Sequence, residues 1–338
     1  MTYSKKGAAS SASYQERRPV VDVVGMEIGS DNEQGTPAVR MRMKFGVPKI
    51  SAAGFLDLDS SIPDTFSEET ASQRWILPKP FCAPDAAMVV SSSDTIMRQA
   101  VSVDDALSDR DKDFYRTRMY KANGEDISFV AAIPEQLAAW IANLLPEGRR
   151  PTTCSIQLRE LAKMNAFLAS DTFSRTNGTA MLMDVGAYST TLVIFKDFIP
   201  ILYREHSIGN ENVIEAVSDG MNLDRPTVFK LLNETLVDPT SMLDPVLTPL
   251  FRQAELSTDY AARKSGGFIE HFFVTGLDTG ERFWVQLFRE KTGGEIKPCK
   301  PILDYRRSEN ALLPEGFDKM ATAFEAALGA AVTVLEST

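Results

Sequence analysis

The sequence predicts an α/β fold of two lobes, and three observations carry that expectation. The chain has 338 residues, 43% of them hydrophobic, which is enough to bury a large core and too long for a small stapled module. Strand-like and helix-like segments alternate along it without an internal repeat of short period. Two similar corners, GMEIGS at 25–30 and MDVGAYSTT at 183–191, stand one in each half of the chain. Each runs strand, acid, glycine, hydroxyl, strand, as duplicated lobes facing each other across a cleft would.

In chain order, VVDVVGMEIG (20–29) and AVRMRMKFGV (38–47) read as strands joined by polar SDNEQGTP, where Gly35 and Pro37 mark the turn. GFLDL (54–58) is expected as a third strand. Residues 60–85 are irregular, broken by Pro63, Pro78, Pro80 and Pro84, with a short helix at SEETASQRWI. AAMVVSSS (86–93) and TIMRQAVSV (95–103) read as strands, and charged DDALSDRDKDFYRTRMYK (104–121) as a helix. DISFVAAI (126–133) is a strand. Pro134 then opens a helix with Leu137, Ile141, Leu144 and Leu145 on one face, stopping near Gly148.

TTCSIQ (152–157) reads as a buried strand and LRELAKMNAFLAS (158–170) as a helix, followed by a meander of TAMLMDV, TTLVIF and FIPILYREH. From Asn212 a helical region runs to about Lys264, with interruptions expected at Pro226, Pro239 and Pro245. FIEHFFVTG (268–276) is a strand and RFWVQLFREKTG a helix. Asp304, Tyr305, Arg306 and Arg307 are expected in a solvated loop. The closing KMATAFEAALGAAVTVL (319–335) is an apolar helix too poor in Lys and Arg for a membrane surface, so it is expected to pack on a sheet.

A net charge of −10 repels nucleic-acid backbones and anionic membranes as main partners. Cys82, Cys154 and Cys299 are far apart and odd in number, which fits reduced thiols, and with only His206 and His271 a zinc site is not expected. The polar first 18 residues lack the apolar core of a secretion signal, and 1–19 read as a disordered tail. No stretch has the roughly 20 clean apolar residues of a membrane span, so the expected location is cytoplasmic.

The two corners suit phosphate. A glycine lets the backbone approach phosphate oxygens, hydroxyls donate to them, and a nearby carboxylate holds Mg²⁺ through its water shell. The chain has no GxxxxGK[ST] loop, no GxGxxG opening a helix and no GxSxG elbow.

In this order, GMEIGS, SIQLRELAKMNAFL (155–168), MDVGAYSTTLVIFKDFIPILYREHSIGNENVIEAV (183–217) and FFVTGLDTG resemble the motifs of actin-like ATPases. Within that superfamily they look most like the PilM-type proteins of type IV pilus assembly and the related FtsA-type proteins of cell division. AAMVVSSSDTIMRQAVSV is similar to the strand pair leading into the inserted subdomain 1C of that branch.

The resemblance implies an actin-like (ribonuclease H-like) two-lobed fold with mixed sheets and a cleft holding ATP and Mg²⁺. Subdomain 1A would be 20–96 and 152–180, 1C 97–151, 2A 181–211 and 268–338, and 2B 212–267. Gly29 and Ser30 would belong to the first phosphate loop, and Asp184, Gly186, Ser189 and Thr190 to the second. Gly209 and Asn210 would lie near the nucleotide, Gly276 and Gly280 in the adenosine turn, and Glu27 and Asp184 beside the metal. Three departures weaken this: Glu27 where the family has Asp, a longer loop SDNEQGTP, and Leu277 where the family has glycine, its side chain expected to crowd the base or ribose.

The function implied is a cytoplasmic scaffold at the inner face of the inner membrane. It would bind the cytoplasmic N-terminal peptide of a single-span pilus assembly protein between 1A and 1C, with at most weak ATPase activity and with self-association open. The alternatives are an ATP-dependent sugar or acid kinase, for which no acceptor-site signature appears, and an FtsA-like filament protein, for which no basic amphipathic extension appears.

Overall fold

The structure, a computed structural model, describes residues 20–30, 34–108, 114–121, 128–145, 150–176, 178–234, 239–277 and 280–336. The tail expected over 1–19 lies outside them. The first stretch holds β1 (Asp22–Ile28), β2 (Thr36–Lys44), β3 (Val47–Leu56), α1 (Glu68–Ser72), β4 (Asp85–Val90), β5 (Ile96–Gln99), α2 (Val103–Ala106), β6 (Tyr115–Lys121), β7 (Ser128–Pro134) and α3 (Glu135–Asn143). The middle holds β8 (Thr152–Leu158), α4 (Arg159–Leu168), α5 (Asp171–Ser174), β9 (Thr179–Val185), β10 (Thr190–Lys196), β11 (Ile199–His206), α6 (Asn210–Met221), α7 (Arg225–Glu234) and α8 (Thr240–Ser265). The chain closes with β12 (His271–Thr275), α9 (Glu281–Thr292), β13 (Ile296–Pro298), α10 (Pro301–Asp304), β14 (Arg307–Leu312) and α11 (Glu325–Glu336).

The expected duplication is visible in the strand order. The first sheet runs β14-β3-β2-β1-β4-β8 and the second β11-β10-β9-β12-β13. In each, an antiparallel meander (β1–β3, β9–β11) is followed by two strands parallel to its first member. The parallel additions need crossovers, which is where the helices sit. An antiparallel sheet β5-β7-β6 is inserted between β4 and β8, and its β5 edge meets the second lobe, where the Tyr203 N–H donates to Gln99 Oε1 at 3.5 Å.

Helix α11 is apolar all round and buried along nearly its whole length, as a helix enclosed on every side must be. It is clasped between β1 and α4 by two glycines. A Cβ at Gly25 would fall 1.8 Å from the Ala327 carbonyl oxygen, and one at Gly329 1.7 Å from that of Ala162. Phe317 and Phe324 complete this core with stacked rings 5.6 Å apart.

Five expectations need correction. Residues 115–121 form strand β6, not a helix: Tyr115, Thr117 and Met119 alternate with Arg116 and Arg118 at the period of a strand, paired along β7. TTCSIQ is not buried; β8 is a sheet edge, covered only at Gln157 and Leu158. Pro245 does not interrupt α8, which runs through it because Leu243, Leu247 and Leu250 bury one face.

Residues 301–336, grouped by sequence with the second lobe, join the first: β14 pairs with β3, and α11 packs on β1 and α4. Asp304–Arg307 is not a loop set apart in solvent but joins α10 to β14, with Tyr305 buried and Asp304 half-buried while the Arg306 and Arg307 side chains stay exposed. Asp304 accepts the Thr172 N–H at 2.8 Å, the Tyr305 hydroxyl donates to the Ala169 carbonyl at 3.1 Å, and the Arg306 carbonyl accepts the Ile50 N–H at 2.9 Å.

Candidate functional site

The two corners face each other across a cleft of about 550 Å³. Its walls include the predicted Glu27, Gly29, Ser30, Gly186, Ser189 and Gly276. Asp184, next to last in β9, and Thr190, Gly209, Asn210 and Gly280 are not among the residues that line it. The two corners thus share one cleft, and contacts within the protein occupy many of the groups expected to meet a ligand.

Most of the expected phosphate donors are engaged inside the protein. The Gly29 N–H donates to Ser60 O at 3.0 Å, and the Gly186 N–H to Ser189 O at 2.8 Å, closing the tip of the corner on itself. The Thr190 hydroxyl donates to Ile208 O at 2.6 Å. The Gly209 N–H donates to Asn212 Oδ1 at 2.9 Å, and the Asn210 N–H to Gly186 O at 2.9 Å, so the N-terminus of α6 is capped by the loop it would have shared with a phosphate. Asn210 Oδ1 accepts from the Trp284 indole at 3.1 Å, and the Gly280 N–H donates to Asn233 Oδ1 at 2.8 Å. Ser30 Oγ, by contrast, is buried with no partner.

The glycines are there for packing. At Gly209 a Cβ would fall 2.4 Å from Ala187 O; at Gly276, where φ is +80°, one would fall 2.4 Å from Val185 O and 2.5 Å from Asp184 Oδ1. Leu277 does not crowd a base site. It is 2% exposed and faces the core of the second lobe, its backbone having turned at Gly276.

The carboxylates are closed by cations that the sequence reading missed. Arg159, the first residue of α4, donates from Nε to Glu27 Oε1 at 2.8 Å, and Lys163, one turn on, is ion-paired with Asp184. Lys163 Nζ also stands 3.9 Å from Glu325 Oε2, and the buried Glu325 accepts the Thr275 hydroxyl at 3.0 and 2.9 Å on its two oxygens. Burial opposes the charge on Arg159, but Glu27, Asp184 and Glu160 outweigh it and hold the guanidinium pKa above its ordinary value. The RELAK spacing on α4 was a legible signal for two cations on one helix face. Their partners, distant in sequence, were not legible.

A divalent ion does not fit this arrangement. Glu27 is ion-paired with Arg159 and Asp184 with Lys163, so neither carboxylate can take a divalent ion or its water shell without releasing that cation. Glu160 and Glu205 add negative charge to the cleft wall.

Burial, followed by the neighbouring Glu205 and Asp184, raises the Glu160 carboxyl above its ordinary pKa despite Arg159. A raised carboxyl contributes stability that is full below its unfolded pKa and is lost as pH rises through the folded one. Glu160→Gln is therefore expected to raise the melting temperature at about pH 7.5 and to leave it unchanged at about pH 4, where both forms are neutral. Thermal unfolding at the two pH values checks this.

No protein-family model and no curated protein sequence matches the chain. Among solved structures, a chain of a PilM–PilN type IV pilus biogenesis complex matches at 17% identity and a TM-score of 0.63, over 94% of this chain and 99% of that one. A Bacteroides thetaiotaomicron protein with an actin-like ATPase fold and unknown function matches at 7% identity and a TM-score of 0.44, over 90% and 96%. The ethanolamine utilization protein EutJ of Carboxydothermus hydrogenoformans matches at 11% and 0.44, over 92% and 90%. The chain thus has the actin-like two-lobed fold, arranged as in the PilM–PilN structure.

Proposed function

We propose that this chain is an actin-like scaffold of type IV pilus assembly or a related secretion machine, which captures the cytoplasmic N-terminal peptide of a single-span inner-membrane protein and does not turn over ATP. The observation that carries the reading is a second groove, of about 470 Å³, lined by the loops that follow β1, β3 and β4 and by the start of α3, and adjoining the cleft at Gly29, Ser30 and Ser91 to Ser93. The resemblance to PilM-type proteins, which implies a partner peptide between 1A and 1C, supports this groove as the docking site. The shared fold with a chain of a PilM–PilN complex supports it.

The groove's chemistry suits that occupant. Ile62, Pro63, Phe66 and Leu137 give an apolar wall for alternate side chains of an extended segment. Ser91, Ser92 and Ser93 offer hydrogen bonds to its backbone, and the rim carries Asp64 and Asp94. Cytoplasmic segments next to a membrane span are rich in Lys and Arg, and two rim carboxylates favour them. The protein would then sit at the inner face of the inner membrane through its partner; among the described residues no helix is long and apolar enough to cross a membrane.

The test is fluorescence anisotropy with labelled synthetic peptides that match the cytoplasmic N-termini of PilN-type single-span membrane proteins. Half-buried Ile62 is changed to Glu. Affinity is expected to fall at least about tenfold, the effect of losing roughly 1.4 kcal/mol of contact, measured well below the variant's melting temperature because Ile62 also packs against the first-lobe core. Undiminished binding to Ile62→Glu contradicts the assignment of the groove.

A further inference from the structure

The cleft's charges form a connected path between the lobes, and a divalent ion would have to break it. Glu27 belongs to β1 of the first sheet and Asp184 to β9 of the second, and α4 reaches one with Arg159 and the other with Lys163. From Lys163 the path continues to Glu325 of α11, packed on the first sheet, and from there to Thr275 of β12 in the second. We propose that Arg159 and Lys163 take the place of a bound metal ion, forming a built-in clamp that fixes the lobes relative to each other whether or not nucleotide or metal is present. This rests on the reading of the chain as a scaffold without ATP turnover and adds the device that makes such a scaffold rigid.

Three features favour a clamp over an incidental ion pair. Removing charges from water is costly, and an apolar pair of similar volume would serve packing at least as well, so a buried Lys–Asp pair needs a reason beyond stability. Lys163 and Asp184 are only 5% and 11% exposed at the side chain, with Glu325 at 1%, so solvent does little to screen them. The cations also come from successive turns of the helix that links the two sheets in sequence, so one rigid element sets both distances.

The test is thermal unfolding of the full chain in EDTA, in magnesium chloride and in manganese chloride, without nucleotide, for the wild type and Lys163→Gln. The wild type is expected to melt at the same temperature in all three. Lys163→Gln is expected to melt lower in EDTA and to regain at least half of that loss in manganese, because Asp184 and Glu325 are then free to take the ion. Stabilisation of the wild type by either metal overturns the clamp, as does a Lys163→Gln protein as stable in EDTA as the wild type, or one that manganese leaves unchanged.

Should Lys163→Gln not fold, amide exchange of β9 and α11 in the wild type decides. Equal protection in EDTA and in magnesium–ATP supports the clamp, and added protection with magnesium–ATP overturns it. Peptide binding to the groove is measured on the same samples. Metal-stabilised wild type that still binds peptide and turns over no ATP overturns the clamp alone, whereas ATP turnover overturns the scaffold reading itself.

Discussion

Gly329→Ala is expected to destabilise the protein by at least about 3 kcal/mol, at or above the upper end of the usual cost of overpacking. The added methyl would sit 1.7 Å from the Ala162 carbonyl oxygen and 2.6 Å from its carbon. Both are backbone atoms of α4 and cannot rotate away, so α4 and α11 must separate. Because α11 also rests on β1 through Gly25, that separation opens the core of the first lobe. Urea denaturation measures the effect, with Gly293→Ala as the control. Gly293 has open space around it and a φ of +68°, so the control should lose only the roughly 1–2 kcal/mol of left-handed strain. Equal losses in the two variants would mean that α11 is not clasped as described.

Lys163→Met is expected to cost about 3–5 kcal/mol at neutral pH, because it leaves Asp184 and Glu325 buried without their cation. The asymmetry is informative: the pair itself stabilises little, since most of its attraction offsets the desolvation of both charges, while breaking it exposes the full penalty. Asp184→Asn combined with Lys163→Met should recover part of the loss, and chemical denaturation of the single and double variants reads the coupling. Additive losses would show that the two side chains do not act as a pair.

The sequence made the duplicated lobes and the cleft legible because both rest on local patterns. The strand–acid–glycine–hydroxyl corners survive as β1 with Gly29 and β9 with Gly186, and the meander over 179–206 follows from short, β-rich apolar runs separated by turn residues. What was not legible depends on contacts between distant residues. Charged 115–121 looked helical by composition, yet β7 pairs with it. The closing helix announced its burial by being apolar all round, but only the Gly25 and Gly329 contacts say which lobe buries it. Leu277 looked like a blocked base site because its direction is set by the turn at Gly276, which sequence does not show. The decisive change in the site, from metal-side carboxylates to closed ion pairs, joins Glu27 to a residue 132 positions away. The resemblance to actin-like ATPases singled out Glu27 and Asp184, and the structure shows them paired with Arg159 and Lys163.

On the proposed function, this protein works through its groove while the cleft is a fixed strut. The most direct test is the affinity of the wild-type chain for the partner peptide, titrated by anisotropy once in EDTA and once in saturating magnesium–ATP. The account predicts the same dissociation constant in both. A change of about tenfold or more, which corresponds to roughly 1.4 kcal/mol of coupling between the sites, would contradict it and return the cleft to the role of a nucleotide switch.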